Sequence, residues 1–339
     1  MRTKSVAAAL AALITLAPLS ACGSEAAADE GTVTIYSGRT QNLIEPILNR
    51  FATETGIDVQ VRYGDTSDLA LLIDEEGDQS PADIFLSQSP GAVGFLDQQG
   101  RLAQLPADVL DRVAEGFHAA DGNWVGFSGR KRVLVYNSEV TDAAELPDSV
   151  LDLVDPVWRG RVGVAPSNAS FQDFVTAMRF EIGDDATRAW LQGIADNDAF
   201  TFANNAAIVA AVGRGELEVG LVNHYYVYQA KAQDPEFEAV NHHFAVQDIG
   251  SLVIVTGASM LASSDSQDQA VDLIRFLLQE EAQRYFSDQT FEYPLADGVP
   301  PSPVLPQIEL GGSADIELDQ LGGDLQSTRT MIRDAGLQG

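Results

Sequence analysis

Thr32-Val33-Thr34-Ile35-Tyr36, running into Ser37-Gly38-Arg39-Thr40, is the stretch that decides the architecture of this chain. Its β-branched and aromatic residues read as a strand, and the small polar loop behind them ends it. Apolar residues then recur at helical spacing over residues 41–55, at Leu43, Ile44, Ile47, Leu48 and Phe51, with Pro46 expected to kink the first turns. A second strand at 57–61, a helix at 67–76 and a third strand at Asp83-Ile84-Phe85-Leu86 continue the alternation. That order predicts a parallel sheet with helices on its faces. Ligands in such sheets bind beyond the carboxyl ends of strands, which makes residues 37–40 and Ser87-Gln88-Ser89 candidate site loops.

Two extended runs follow, at 124–127 and 133–137, separated by Arg130-Lys131-Arg132, which reads as a solvated turn or as a local basic cluster. The alternation restarts at Val162-Gly163-Val164 and enters Pro166-Ser167-Asn168-Ala169-Ser170, a polar loop opening a helix at 171–181. Such a loop offers free backbone N–H groups to an anion, or simply caps the helix. Asn204-Asn205 caps a further helix at 206–213, and an apolar strand at 217–222 leads to Asn223-His224-Tyr225-Tyr226. Beyond it lie an extended run at 251–256, a strand at 258–261, an amphipathic helix at 267–278, a proline-rich linker at 294–306 and a closing helix at 324–335.

With 50 acidic against 20 basic residues, the net charge of −30 argues against a nucleic-acid backbone or an anionic membrane surface as partner. Basic Arg2 and Lys4 ahead of the apolar run 6–16 have the layout of an export signal over residues 1–21. Leu19-Ser20-Ala21-Cys22 resembles the lipobox of bacterial lipoproteins, so Cys22 is the expected lipidation site and 22–31 a small-residue tether. Cys22 is the one cysteine in the sequence, which rules out an internal disulfide. The expected location is extracytoplasmic, with the lipid as the only membrane contact.

The adjacent Tyr225 and Tyr226 read in two ways: as aromatic packing at a strand end, or as a pair of phenolate oxygen donors for a hard cation. A phenol titrates near pH 10, so only a strongly polarising ion holds two of them deprotonated near neutrality, and ferric iron fits best. Secreted-enzyme chemistry finds little support. Gly126-Phe127-Ser128-Gly129 lacks the spacing of a nucleophile elbow, no Walker lysine is present, and His118, His224, His242 and His243 show no zinc-binding spacing.

Several segments together resemble a known family. They are residues 32–38, FATETG at 51–56, EEGDQSPAD at 75–83, SGRKRVLVYN at 128–137, PVWRGRVG at 156–163, residues 223–226, and Glu292-Tyr293-Pro294. On these the chain resembles the extracytoplasmic ferric-iron-binding proteins of ABC transporters, the bacterial transferrins. The resemblance implies an α/β, two-lobed type 2 periplasmic-binding-protein fold, each lobe a central mixed β-sheet flanked by helices, with two crossover strands near 133–137 and 252–256. Lobe 1 is expected to take 32–132 and 256–304, and lobe 2 to take 133–255 and 305–339.

By the same resemblance Tyr225 and Tyr226 bind Fe3+, and a synergistic anion (carbonate, phosphate or citrate) sits on Ser167, Asn168, Ala169, Asn205 and Asn223; beyond the resemblance, Arg39 and Arg130 are expected to help hold it. Where family members carry a histidine and a glutamate in the first lobe, this chain has Thr40 and Gln88, both weaker metal candidates. The implied partners are an ABC permease and ferric iron or a ferric chelate, and a monomer is expected. Thiamine, a polyamine or a simple oxyanion are alternative cargoes for the same fold.

Overall fold

The computed structural model describes residues 31–308, 318, 321–322 and 325–337. The expected export segment, Cys22 and all of the tether except Gly31 lie outside the described residues.

In chain order the first elements are β1 (Thr32–Ser37), α1 (Gln41–Thr55), β2 (Asp58–Tyr63), α2 (Thr66–Glu76), β3 (Ile84–Ser87), α3 (Pro90–Gln98), β4 (Leu102–Ala103) and α4 (Ala107–Leu110). The middle of the chain forms β5 (Val125–Asn137), β6 (Val162–Val164), α5 (Ala169–Ile182), α6 (Asp184–Asp196), β7 (Phe200–Thr201), α7 (Asn205–Gly213), β8 (Val219–Asn223), α8 (Tyr225–Gln233) and β9 (Ala239–His242). It ends with β10 (Val253–Leu261), α9 (Gln267–Leu277), α10 (Glu280–Gln289), β11 (Tyr293–Pro294) and α11 (Leu325–Asp334).

The main path of the sheet runs β2-β1-β3-β10-β5-β8-β6-β7. It is mixed: β1 is parallel to β2 and β3, whereas β10 runs antiparallel to β3 and to β5. On the other side β8 is antiparallel to β5 and parallel to β6. The long strand β5 joins the two halves. Its first part pairs with β10 as far as Lys131↔Val253, and its second part pairs with β8 from Arg132↔Asn223.

That exchange of partners corrects the expected turn at 130–132. Both sides of the run are occupied by ladder hydrogen bonds, so the chain stays extended through it. Alternation along the strand sends Arg130 and Arg132 to one face and Lys131 to the other. Arg130 is fully buried, Arg132 is 1% exposed, and Lys131 keeps partial access to solvent. The two runs expected at 251–256 and 258–261 likewise merge into the single strand β10, which carries a bulge between Thr256 and Gly257. Ser251 closes a short 3-10 turn ahead of it.

The apolar face of α1 (Leu43, Ile44, Ile47, Leu48 and Phe51) is buried as its spacing predicts. Each such side chain contributes about 1.5–3 kcal/mol of burial. The helix runs through Pro46, which removes one backbone donor near its start. Gly56, at φ 79°, ends it in a left-handed conformation that glycine adopts without steric cost. At the far end of the chain, α11 rests on α5, where the hydroxyls of Thr176 and Thr328 lie 2.7 Å apart.

Candidate metal centre

The tyrosine pair does not end a strand, as its sequence suggested. Strand β8 stops at Asn223, His224 turns the backbone, and Tyr225 and Tyr226 open α8. The ladder extends to this turn: His224 donates its N–H to the Lys131 carbonyl, and the Lys131 N–H donates to His224 Nδ1. The imidazole is buried and stacks on Tyr293 at 4.8 Å. Burial pushes its pKa down to about 3, so it stays neutral. The two phenol rings stack at 4.2 Å with 27° between their planes. Tyr225 is fully buried, Tyr226 keeps part of its surface accessible, and the Tyr225 hydroxyl has no hydrogen-bond partner among the described residues.

Three helix starts converge around the pair. Asn168 caps α5, its Oδ1 accepting from the Ser170 N–H at 3.1 Å, and Asn204 caps α7 by accepting from Ala207. Asn205 Nδ2 donates to Asn168 Oδ1 at 3.4 Å, and Asn223 Nδ2 donates to Ser170 Oγ at 3.0 Å. These bonds bring together Asn168, Asn205 and Asn223, drawn from three separate segments. Ala169 is buried in the first turn of α5, and Ser167 is exposed ahead of it. Unpaired N–H groups at the starts of helices attract negative charge.

The buried arginines of β5 stand behind the tyrosines. Arg130 donates to Thr256 Oγ1 at 3.1 Å and to the carbonyls of Gln88 and Val255, and its Nε has no partner among the described residues. Arg132 donates from Nη1 to Asn223 Oδ1 at 3.2 Å, and its Nε and Nη2 have no partner among the described residues. Burial lowers the Arg132 pKa to about 9, with the tyrosine pair and Asp173 pulling the other way. A guanidinium still keeps its proton at neutral pH, so a buried cation stands here with idle donors. Burial raises both phenol pKa values, while Arg130 opposes the rise. Ionising the pair therefore calls for a strong cation at the oxygens, and the guanidiniums then favour the phenolates.

Arg39 is engaged elsewhere. Its Nη2 lies 2.7 Å from Glu292 Oε2 and its Nη1 3.1 Å from Oε1, with both side chains fully buried. The guanidinium also donates to Thr256 at 3.0 Å and lies against the rings of Phe127 and Phe286. Burial alone would raise the Glu292 carboxyl, but Arg39 overrides it and holds the pKa below the usual range. An anion at Arg39 would have to compete with that pair. Thr40 is exposed at the start of α1 and makes no capping bond with its side chain. Gln88 is buried, and its carbonyl accepts from Arg130.

Among the described residues, no group of three or more His, Cys, Asp or Glu side chains is gathered for a metal. The donor set that the fold does assemble is phenol, amide and guanidinium, which suits a hard cation accompanied by an anion. Sequence reasoning did not single out Arg132 or Asp173 in this neighbourhood. For Arg132 a signal was available: its i, i+2 spacing from Arg130 puts both on one face once the segment is a strand.

With this geometry in view, the chain matches the family model of bacterial extracellular solute-binding proteins over residues 79–309, and it belongs to that family. It has the family's type 2 periplasmic-binding-protein fold, and the family is one of solute binders rather than an enzyme class. Its relatives include an Fe(3+)-binding periplasmic protein from Serratia marcescens, 32% identical over 96% of both chains. The major ferric iron-binding protein of Neisseria meningitidis serogroup B is 33% identical over 78% of this chain and 80% of its own. Among solved structures, iron-bound HitA from Pseudomonas aeruginosa superposes with a TM-score of 0.86 at 34% identity, covering 90% of this chain and 99% of that one.

Proposed function

We propose that this protein is the extracytoplasmic binding component of an iron importer, capturing Fe3+ together with an anion between two lobes. The observation that carries the reading is the Tyr225–Tyr226 stack at the start of α8, backed by buried Arg130 and Arg132. The names of two relatives, matched over 96% and 78% of this chain, support it. In this reading the two phenolates take one side of the metal. The helix starts at Asn168, Ala169 and Asn205, with Asn223 at the end of β8 and exposed Ser167 at the rim, hold the anion that takes the other.

The anion is carbonate, phosphate or citrate. Arg130 and Arg132 supply the buried positive charge that it offsets, and Arg39 serves chiefly through its pair with Glu292. Residues 32–132 and 256–304 form the first lobe, and 133–255 with 305–339 the second. Delivery is to an ABC permease by a monomer tethered to the membrane through lipid on Cys22.

A ferric chelate is the second reading, and Thr40 and Gln88 favour it: neither side chain offers the anionic donor that would complete the sphere from the first lobe. Equilibrium dialysis of ferric iron against anion-free protein, and then with each anion restored, tests the proposal. The expected result is tight retention only with an anion present, and equally tight binding without one would contradict it.

A further inference from the structure

The tyrosine pair and the anion loops all sit on the half of the sheet that holds β6 and β8. Something must fix that half against the other, where Gln88 precedes α3. Two hydrogen bonds between side chains do so directly. Ser67 Oγ, at the start of α2, donates to Gln172 Oε1 at 3.0 Å. Ser89 Oγ, the cap of α3, donates to Asp173 Oδ1 at 2.5 Å. Gln172 and Asp173 are successive residues in the first turns of α5, the helix whose start carries Asn168 and Ala169.

Asp173 is 2% exposed, and by accepting from the Ser89 hydroxyl that caps α3 it reaches that helix from the opposite half. Its second oxygen has no partner among the described residues. The fit depends on Gly91: a Cβ built there would lie 2.6 Å from Asp173 Oδ1 and 3.3 Å from the Leu321 carbonyl. Gly91 lies within helix α3 and has no positive φ, so α3 itself has no need of glycine at this position. The requirement comes from the opposite half. The same helix is approached a turn later by Gly322, whose built Cβ would meet the backbone of Gly94 at 2.2 Å.

We propose that Asp173 is a positioning residue for cargo capture: by holding Ser89, the cap of α3, and packing closely on Gly91, it latches the anion-holding start of α5 against the half that carries Gln88. The latch rests on the capture reading above. It acts on how long the closed form lasts, and it touches neither metal nor anion. Asn at position 173 keeps the acceptor oxygen, whereas Ala removes it. Ala at position 91 leaves α3 intact and wedges the contact apart.

The test is release of bound iron to a competing chelator, followed in stopped flow by the tyrosine-to-iron absorption, with solution scattering of the loaded protein. Asp173→Ala is expected to release iron about ten-fold faster or more, because it leaves the buried Ser89 hydroxyl without its acceptor. Asp173→Asn is expected to stay near the wild-type rate. Gly91→Ala should speed release and enlarge the loaded particle, and adding it to Asp173→Ala should change little further. Wild-type rates and wild-type dimensions in both Asp173→Ala and Gly91→Ala would overturn the latch while leaving iron capture standing. A wild-type protein that develops no absorption on loading would overturn the capture reading, and the latch with it.

Discussion

Arg39 and Glu292 form a fully buried bidentate pair, Nη2 to Oε2 at 2.7 Å and Nη1 to Oε1 at 3.1 Å, that ties the loop after β1 to the chain entering β11. Breaking such a pair leaves one charge uncompensated in the interior. Arg39→Ala or Glu292→Ala should therefore cost about 3–5 kcal/mol in chemical denaturation. The double replacement Arg39→Met with Glu292→Leu should recover much of that loss, because no charge is stranded.

Arg132 presents the opposite situation, a buried cation whose Nε and Nη2 have no hydrogen-bond partner among the described residues. Arg132→Met should leave the stability of the iron-free protein within about 1 kcal/mol of wild type, because removing two unsatisfied donors offsets the buried Asn223 Oδ1 acceptor it leaves unpaired. Ferric affinity at fixed anion concentration should fall. A thermal melt and an iron titration on the same variant separate the two effects.

The pH dependence of the iron-free fold follows from two histidines held neutral by burial. The pKa of His224 is lowered from 6.5 to about 3 and that of His243 from 6.5 to about 4. Both are depressed, so the native state binds fewer protons than the unfolded chain. The stability they contribute is full above pH 6.5 and is lost as pH falls through the folded values. Asp173 acts with the reverse sign. Burial raises its pKa from 3.8 to about 7, so its contribution is full below pH 3.8 and is lost as pH rises through 7. Melting temperature measured from pH 8 to pH 4 should fall toward acid. It should fall more steeply in Asp173→Asn, which removes the opposing carboxyl.

Much of the first half of the fold was legible from residues 32–89, because each strand there is short, β-branched and ended by a small polar loop. The arginine run was not. Arg130-Lys131-Arg132 carries the composition of a turn, and it is a strand only because β10 and β8 supply ladder partners from residues more than 80 positions away. The tyrosine pair was placed on the strand rather than on α8 for a related reason: Tyr and Val favour extended structure locally, and the helix starts where β8 runs out of partners. Asn168, Asn205 and Asn223 could be listed together from the family resemblance, but the hydrogen bonds that join two of them belong to the fold. Arg39 looked free in sequence because Glu292 lies 253 residues away.

The most direct test of iron capture is the visible absorption of the protein titrated with ferric salt in the presence of phosphate, carbonate or citrate. The Tyr225 hydroxyl has no hydrogen-bond partner among the described residues, so Tyr225→Phe should melt within about 1 kcal/mol of wild type and serve as a folded control. The account predicts a phenolate-to-iron band in the wild type that saturates at one metal per chain, and its loss in both Tyr225→Phe and Tyr226→Phe. A loaded wild-type protein that stays colourless, or variants that keep the full band, would contradict it.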